Sequence, residues 1–183
     1  MTPKKTARAG KSRRTILIVD DHPMMREGLA QLIGNEPDLA VCGQSETAFQ
    51  AIDAIAALRP DLVLVDITLP DKSGLELIKD IQARDSKQAV LVISMHDESL
   101  YAERVLRAGG RGYIMKQEGG KKLMQAIRQV LSGQIYVSEK MSADILEIFS
   151  GRHSGRSDSP VAQLTDREFE VFQLIGGGKG TRE

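Results

Sequence analysis

The chain has 183 residues, 41% of them hydrophobic, and its 25 basic side chains balance 25 acidic ones. That is enough for one full domain with material to spare. No stretch approaches the ~20 apolar residues of a membrane span, and the single cysteine, Cys42, excludes a disulfide framework and reads as a small buried hydrophobe within an apolar run. A soluble cytoplasmic protein is expected.

The charge is unevenly placed. Residues 1–14 hold six basic side chains (Lys4, Lys5, Arg8, Lys11, Arg13, Arg14) and no acid, leaving 19 basic against 25 acidic residues in the remainder, net −6. This tail lacks the apolar core of a signal peptide and reads as a solvated, disordered arm, with weak contact to a polyanion as the alternative.

Five short apolar runs follow: Ile16 to Val19, Leu39 to Cys42, Leu62 to Val65, Val90 to Ile93 and Tyr113 to Met115. Runs of this length, bounded by turn signals, predict strands buried on both faces, as in a parallel sheet. Between them apolar residues step by three and four, as in Met25, Leu29, Leu32 and Ile33, or Leu75, Ile78 and Ile81. The same spacing returns after the second, fourth and fifth runs, with Ala48, Ile52 and Ile55 following the second. Pro37, Pro60 and Pro70 fall between elements, and Gly109, Gly110 and Gly112 punctuate the approach to the last strand. Strand and helix alternating five times over residues 15–132 predict an α/β fold, a doubly wound parallel sheet with helices on both faces.

Beyond Gly133 the text changes. Residues 133–149 read as a connecting segment, helical on the spacing of Met141, Ile145, Ile148 and Phe149, and residues 150–163, rich in Ser and Gly, as a flexible linker. A second unit opens at Leu164, where Thr165 and Glu168 have the spacing of a capping box ahead of Phe169, Val171, Phe172, Leu174 and Ile175. The twenty residues 164–183 cannot bury a core of their own.

The chemistry converges on strand ends. Asp66 closes the third strand, where open α/β sheets bind ligands, though alone it is as readily a turn or capping aspartate. Asp20 and Asp21 close the first strand, a neighbour of the third in a doubly wound sheet. Three carboxylates at one edge repel one another unless a hard cation such as Mg²⁺ shares their oxygens. Ser94 follows the fourth strand and Lys116 the fifth. A carboxylate nucleophile, a metal, a lysine and a hydroxyl are adequate for phosphoryl transfer, which is mostly positioning and charge stabilisation. Singly, Ser94 reads as a cap and Lys116 as a solvated charge.

With the acidic pair Asp20 and Asp21, Asp66 within DITLPDKSG (Asp66 to Gly74), Ser94, Tyr113 and Lys116, residues 15–132 resemble the receiver domain of bacterial two-component response regulators. The resemblance implies a flavodoxin-like (βα)5 fold with strand order 2-1-3-4-5. It implies that a histidine kinase phosphorylates Asp66, and that Asp21, Asp66 and the backbone carbonyl of Thr68 hold Mg²⁺ with Asp20 assisting partly through water. Lys116 and Ser94 would contact the phosphoryl oxygens, and Tyr113 would move inward with Ser94. Many receivers place a proline after the lysine, joined by a cis peptide; here the residue is Gln117. His96, two residues beyond Ser94, stands where the family can modulate loss of the phosphoryl group, or it is a solvated loop histidine.

Residues 164–183 resemble the opening of the LuxR-type helix-turn-helix that follows receivers of the NarL and FixJ group. The second helix of that motif reads the major groove, and the sequence as given stops before it. DNA binding is therefore expected only of a longer protein, with exposure or dimerisation of the output unit on phosphorylation. Such a regulator would not be an enzyme beyond assisting its own phosphorylation and dephosphorylation. Two rivals remain: a Mg²⁺-dependent phosphohydrolase of the haloacid dehalogenase kind, which wants a second acid where Thr68 stands, and a phosphorylation-independent protein adaptor.

Overall fold

A computed structural model describes residues 13–143 and 164–176. The basic tail up to Lys11 and the residues 150–163 read as a linker lie outside the described residues. Five strands, β1 (Arg14–Val19), β2 (Leu39–Ser45), β3 (Leu62–Asp66), β4 (Ala89–Ser94) and β5 (Gly112–Met115), alternate with α1 (Pro23–Gly34), α2 (Ala48–Leu58), α3 (Gly74–Arg84), α4 (Glu98–Arg107) and α5 (Gly120–Leu131). They form one sheet in the order β2-β1-β3-β4-β5, and every pairing is parallel. This is the predicted doubly wound sheet, with β1 and β3 side by side.

Local chemistry sets the helix starts. Pro23 occupies the first turn of α1, where its missing N–H costs nothing. The hydroxyls of Thr47 and Ser73 and the carboxylate of Asp97 accept backbone N–H groups at the starts of α2, α3 and α4. The central strands alternate between two cores. Leu17, Val19, Val63, Val65, Val90 and Val92 face α2, α3 and α4. Ile16, Ile18, Leu62, Leu64, Leu91 and Ile93 face α1 and α5. Leu64 is fully buried in the second, so Leu64→Ala should cost roughly 2–5 kcal/mol of unfolding free energy. Chemical denaturation measures this; a loss below 1 kcal/mol would mean that the face repacks.

Three details depart from the expected pattern. Leu32 is exposed, and the buried stripe of α1 is instead Arg26, Leu29 and Ile33. Cys42 is only half-buried, packed against the first core. The segment after Gly133 does not turn helical at once: Tyr136 pairs in parallel with Gly112, and the helix starts only at residue 139. Tyr113 N–H donates to the Tyr136 carbonyl at 2.9 Å and Tyr136 N–H to that of Arg111 at 3.0 Å, which covers the open edge of β5. Gly112 permits the approach, because a Cβ there would stand 2.6 Å from the Tyr136 carbonyl oxygen.

A last helix, α6 (Asp166–Gly176), carries the capping box predicted from its sequence. Glu168 N–H donates to Thr165 Oγ1 at 3.3 Å, and Thr165 N–H donates to Glu168 Oε2 at 2.8 Å. The helix rests on α3 and α4. Asp166 pairs with Lys79 and, at 2.8 Å, with Arg104. Phe169, buried, lies edge-on to Tyr101 with 5.1 Å between ring centroids, while the Arg104 guanidinium stands 4.3 Å over its face.

Candidate functional site

The register of the sheet gathers the candidate residues at its carboxyl edge. Val19 pairs with Val65, so Asp20 and Asp66 emerge side by side from β1 and β3. Asp66 pairs with Ile93 and Ser94 with Met115, which brings the hydroxyl after β4 and Lys116 after β5 to the same edge. Asp20 and Ser94 are fully buried and Asp66 nearly so.

Lys116 is the centre of charge. Its side chain is 5% exposed, and its ammonium donates to Asp20 Oδ2 at 2.7 Å and to Asp66 Oδ2 at 2.6 Å. Burial works against the charged ammonium, but these two carboxylates outweigh it and lift the lysine above its ordinary pKa. Asp66 moves the unfavourable way. Burial pushes its carboxyl up, Lys116 opposes this, and the charge of Asp20 adds to it. One cation shared by several acids leaves Asp66 with a net penalty on its ionised form. Lys116 is reached without the proline common in the family: β5 runs into a single 3-10 turn, Lys116–Glu118, and no peptide bond among the described residues is cis.

Asp21 completes the acidic set. Its Oδ1 is buried and lies 2.7 Å from Nδ1 of the mostly exposed His22. Asp20, Asp21, His22 and Asp66 each offer a ligand atom, all within 4.8 Å of one another. Oxygen donors of this kind suit Mg²⁺ better than the imidazole does, and three clustered carboxylates carry negative charge that a hard cation would offset. The three aspartates therefore fit the metal. Thr68, whose carbonyl is the further expected ligand, follows at once and donates its N–H to Asp66 Oδ1 at 3.4 Å.

The remaining predicted residues meet at His96. Its N–H donates to Ser94 Oγ at 3.2 Å, and its carbonyl accepts the Tyr113 hydroxyl at 2.8 Å. Its ring stands 3.3 Å from Thr68 Oγ1 through Nε2 and 5.0 Å from the Tyr101 ring. His96 is thus a partly exposed loop residue whose backbone is tied to Ser94 and Tyr113 and whose ring meets Thr68 and Tyr101. Tyr113 is already inside the protein, and burial raises its pKa well above the ordinary phenol value.

Several contributors carried no signal that motif spacing could catch. Arg26 is a buried arginine in α1 whose Nη1 donates to the Asp20 carbonyl at 2.6 Å and whose Nη2 pairs with Glu46. Asp71 accepts the N–H groups of Ala48 and Phe49 at 2.9 and 3.0 Å. Arg26 could have been flagged by helical periodicity, since it shares the i, i+3, i+7 face with Leu29 and Ile33.

The response regulator receiver domain family matches residues 16–128. The nitrate/nitrite response regulator protein NarL of Escherichia coli K12 is 32% identical over 164 residues, covering 90% of this chain and 76% of that protein. A LuxR-family two-component response regulator from Aurantimonas sp. SI85-9A1 is 34% identical with a TM-score of 0.70, over 76% of this chain and 99% of that one. The receiver domain of the putative regulator NarL from Mycobacterium tuberculosis is 25% identical with a TM-score of 0.64, over 67% and 99%. A flavodoxin-like five-stranded sheet, an acidic pocket closed by lysine and these relatives agree: the chain belongs to the response regulators, with a receiver domain of the NarL and LuxR group.

Proposed function

We propose that Asp66 accepts a phosphoryl group with Mg²⁺ bound among Asp20, Asp21, Asp66 and the Thr68 carbonyl, and that this switches a surface controlling a DNA-binding output. The observation that carries the reading is Lys116 spanning Asp20 and Asp66 within a cluster of acidic ligand atoms that includes Asp21. An Asp66 carboxylate oxygen attacks phosphorus, a P–O bond forms, and the donor's bond to phosphorus breaks with its electron pair leaving on the donor. When bound, the metal offsets charge on the phosphoryl oxygens and the carboxylates. Lys116, already ionised and aimed at Asp66, is placed to hold a second phosphoryl oxygen. Ser94 supplies a hydroxyl to a third, and any movement of it pulls on His96, whose carbonyl holds Tyr113 and whose ring touches Thr68 and Tyr101.

The phosphodonor in this reading is a sensor histidine kinase in the cytoplasm. DNA is engaged only through a complete helix-turn-helix, with homodimer formation accompanying phosphorylation. The described residues of the receiver, from β1 at Arg14 to α5, act as the switch, and residues 164–183 belong to the output unit in this reading.

Acetyl phosphate with Mg²⁺ should add one phosphoryl group to the wild type and none to Asp66→Asn, read by intact-mass spectrometry. No adduct on the wild type, or an adduct surviving in Asp66→Asn, sinks the reading.

A further inference from the structure

Two loops carry the acids of the site, the β1–α1 loop with Asp20 and Asp21 and the β3–α3 loop from Ile67 to Ser73. Sheet register alone fixes the strand ends from which they leave, not the loops themselves. Both are fastened to one third element that carries none of the chemistry, the β2–α2 turn of residues 45–49. On one side, Asp20 N–H donates to the Ser45 carbonyl at 3.1 Å. Arg26 then clamps the same junction from below, one guanidinium nitrogen on the Asp20 carbonyl and the other on Glu46. On the other side, Asp71 takes both free N–H groups at the start of α2, those of Ala48 and Phe49. Those backbone hydrogen bonds outweigh the effect of burial and hold Asp71 ionised below the ordinary aspartate range.

The chemistry of these clamps is that of positioning. Arg26 is buried although it touches no carboxylate of the site, and a buried guanidinium persists only where its donors are used. It spends them on a backbone carbonyl and on the turn. Asp71 is exposed to water and would cost nothing to leave unpaired, yet it accepts two backbone hydrogen bonds 22 and 23 residues away in sequence.

We infer that the β2–α2 turn is a strut that sets the separation of the two acid-bearing loops, and that Arg26, Glu46 and Asp71 are positioning residues for the Mg²⁺ site. The inference rests on the reading of Asp66 given above. Partners behind a ligand shell typically change metal affinity 10- to 100-fold when removed, and the two clamps act on opposite loops through one turn, so their effects should not be independent.

Titration calorimetry of the full chain with MgCl₂ tests this, with far-UV circular dichroism to establish folding. Asp71→Ala and Arg26→Met should each weaken Mg²⁺ binding roughly tenfold or more. Asp71→Asn, whose amide oxygen still accepts a hydrogen bond, should recover part of the loss, and the double variant should lose less than the product of the singles. Should Arg26→Met fail to fold, the Asp71 pair decides alone, since its side chain is at the surface. Folded Asp71 variants that bind Mg²⁺ within twofold of the wild type overturn the strut, even if they melt lower. A wild type that takes up no Mg²⁺ removes the Asp66 reading itself, so the two failures are distinct.

Discussion

Asp66→Asn, kept free of metal with EDTA, is expected to melt a few degrees above the wild type at pH 7. Burial raises the Asp66 pKa despite Lys116, and the neighbouring Asp20 charge adds to the rise. A carboxyl whose folded pKa lies above its unfolded value, about 3.9, favours folding fully only below that value. The contribution is lost as pH climbs through the folded pKa, so at neutral pH the wild type carries the penalty. Asparagine keeps the shape, offers Lys116 a carbonyl oxygen and has no charge to desolvate, while Lys116 keeps Asp20 at 2.7 Å. In a protein of this size about 1 kcal/mol moves the midpoint by ~2–4 °C. The advantage should be larger at neutral pH than near pH 4. Adding MgCl₂ should raise the wild type more than the variant, because binding to the folded state alone stabilises as RT ln(1 + [L]/Kd). A wild type that melts at or above Asp66→Asn in EDTA between pH 6 and 8 contradicts the account.

Gly74→Ala should be the most damaging glycine-to-alanine change among the described residues. A Cβ at Gly74 would stand 2.4 Å from the Asp66 carbonyl oxygen and 2.8 Å from Ile67 Cα, which is backbone on both sides and cannot swing away. Gly74 N–H also donates to the Ile67 carbonyl at 2.8 Å, so α3 begins directly against the end of β3. Overpacking of this kind costs typically ~1–3 kcal/mol and more where backbone must shift. The shift falls on the segment that carries the nucleophile, and misplacement by an ångström can cost on the order of 100-fold in rate. Denaturant midpoints and the rate of phosphoryl uptake from acetyl phosphate measure the two effects. Gly28→Ala is the control. Nothing lies within 4 Å of a Cβ there, and in the interior of α1 alanine should gain up to about 1 kcal/mol. If both variants behave alike, the argument from close approach fails.

Position was legible from sequence where a side chain stands at the end of an apolar run. Asp20, Asp66, Ser94 and Lys116 each follow or close a strand, and strand order does the rest. The five strands were legible because burial on both faces leaves continuous apolar runs. Residues whose partners become near only after crossovers were not. Arg26 and Glu46 are twenty positions apart, on either side of β2, and nothing in their spacing links them. Tyr136 reads as part of a helical connection because its extended backbone is imposed by the edge of β5 rather than by its own neighbours. Likewise the capping box of Thr165 and Glu168 announced a helix, but not that Asp166 and Phe169 would find Arg104 and Tyr101.

That last contact has a thermodynamic consequence of its own. Because α6 and α4 belong to one chain, docking is a unimolecular equilibrium that dilution does not oppose. A handful of contacts that would not hold two separate molecules together then suffices to hold these. By the same measure the balance is easily tipped, since about 1.4 kcal/mol alters the docked-to-free ratio tenfold. The Tyr101 ring that supports Phe169 is also the ring that touches His96, which in turn reaches Thr68 beside the phosphoacceptor. Small displacements there are of the right size to be heard at the other end.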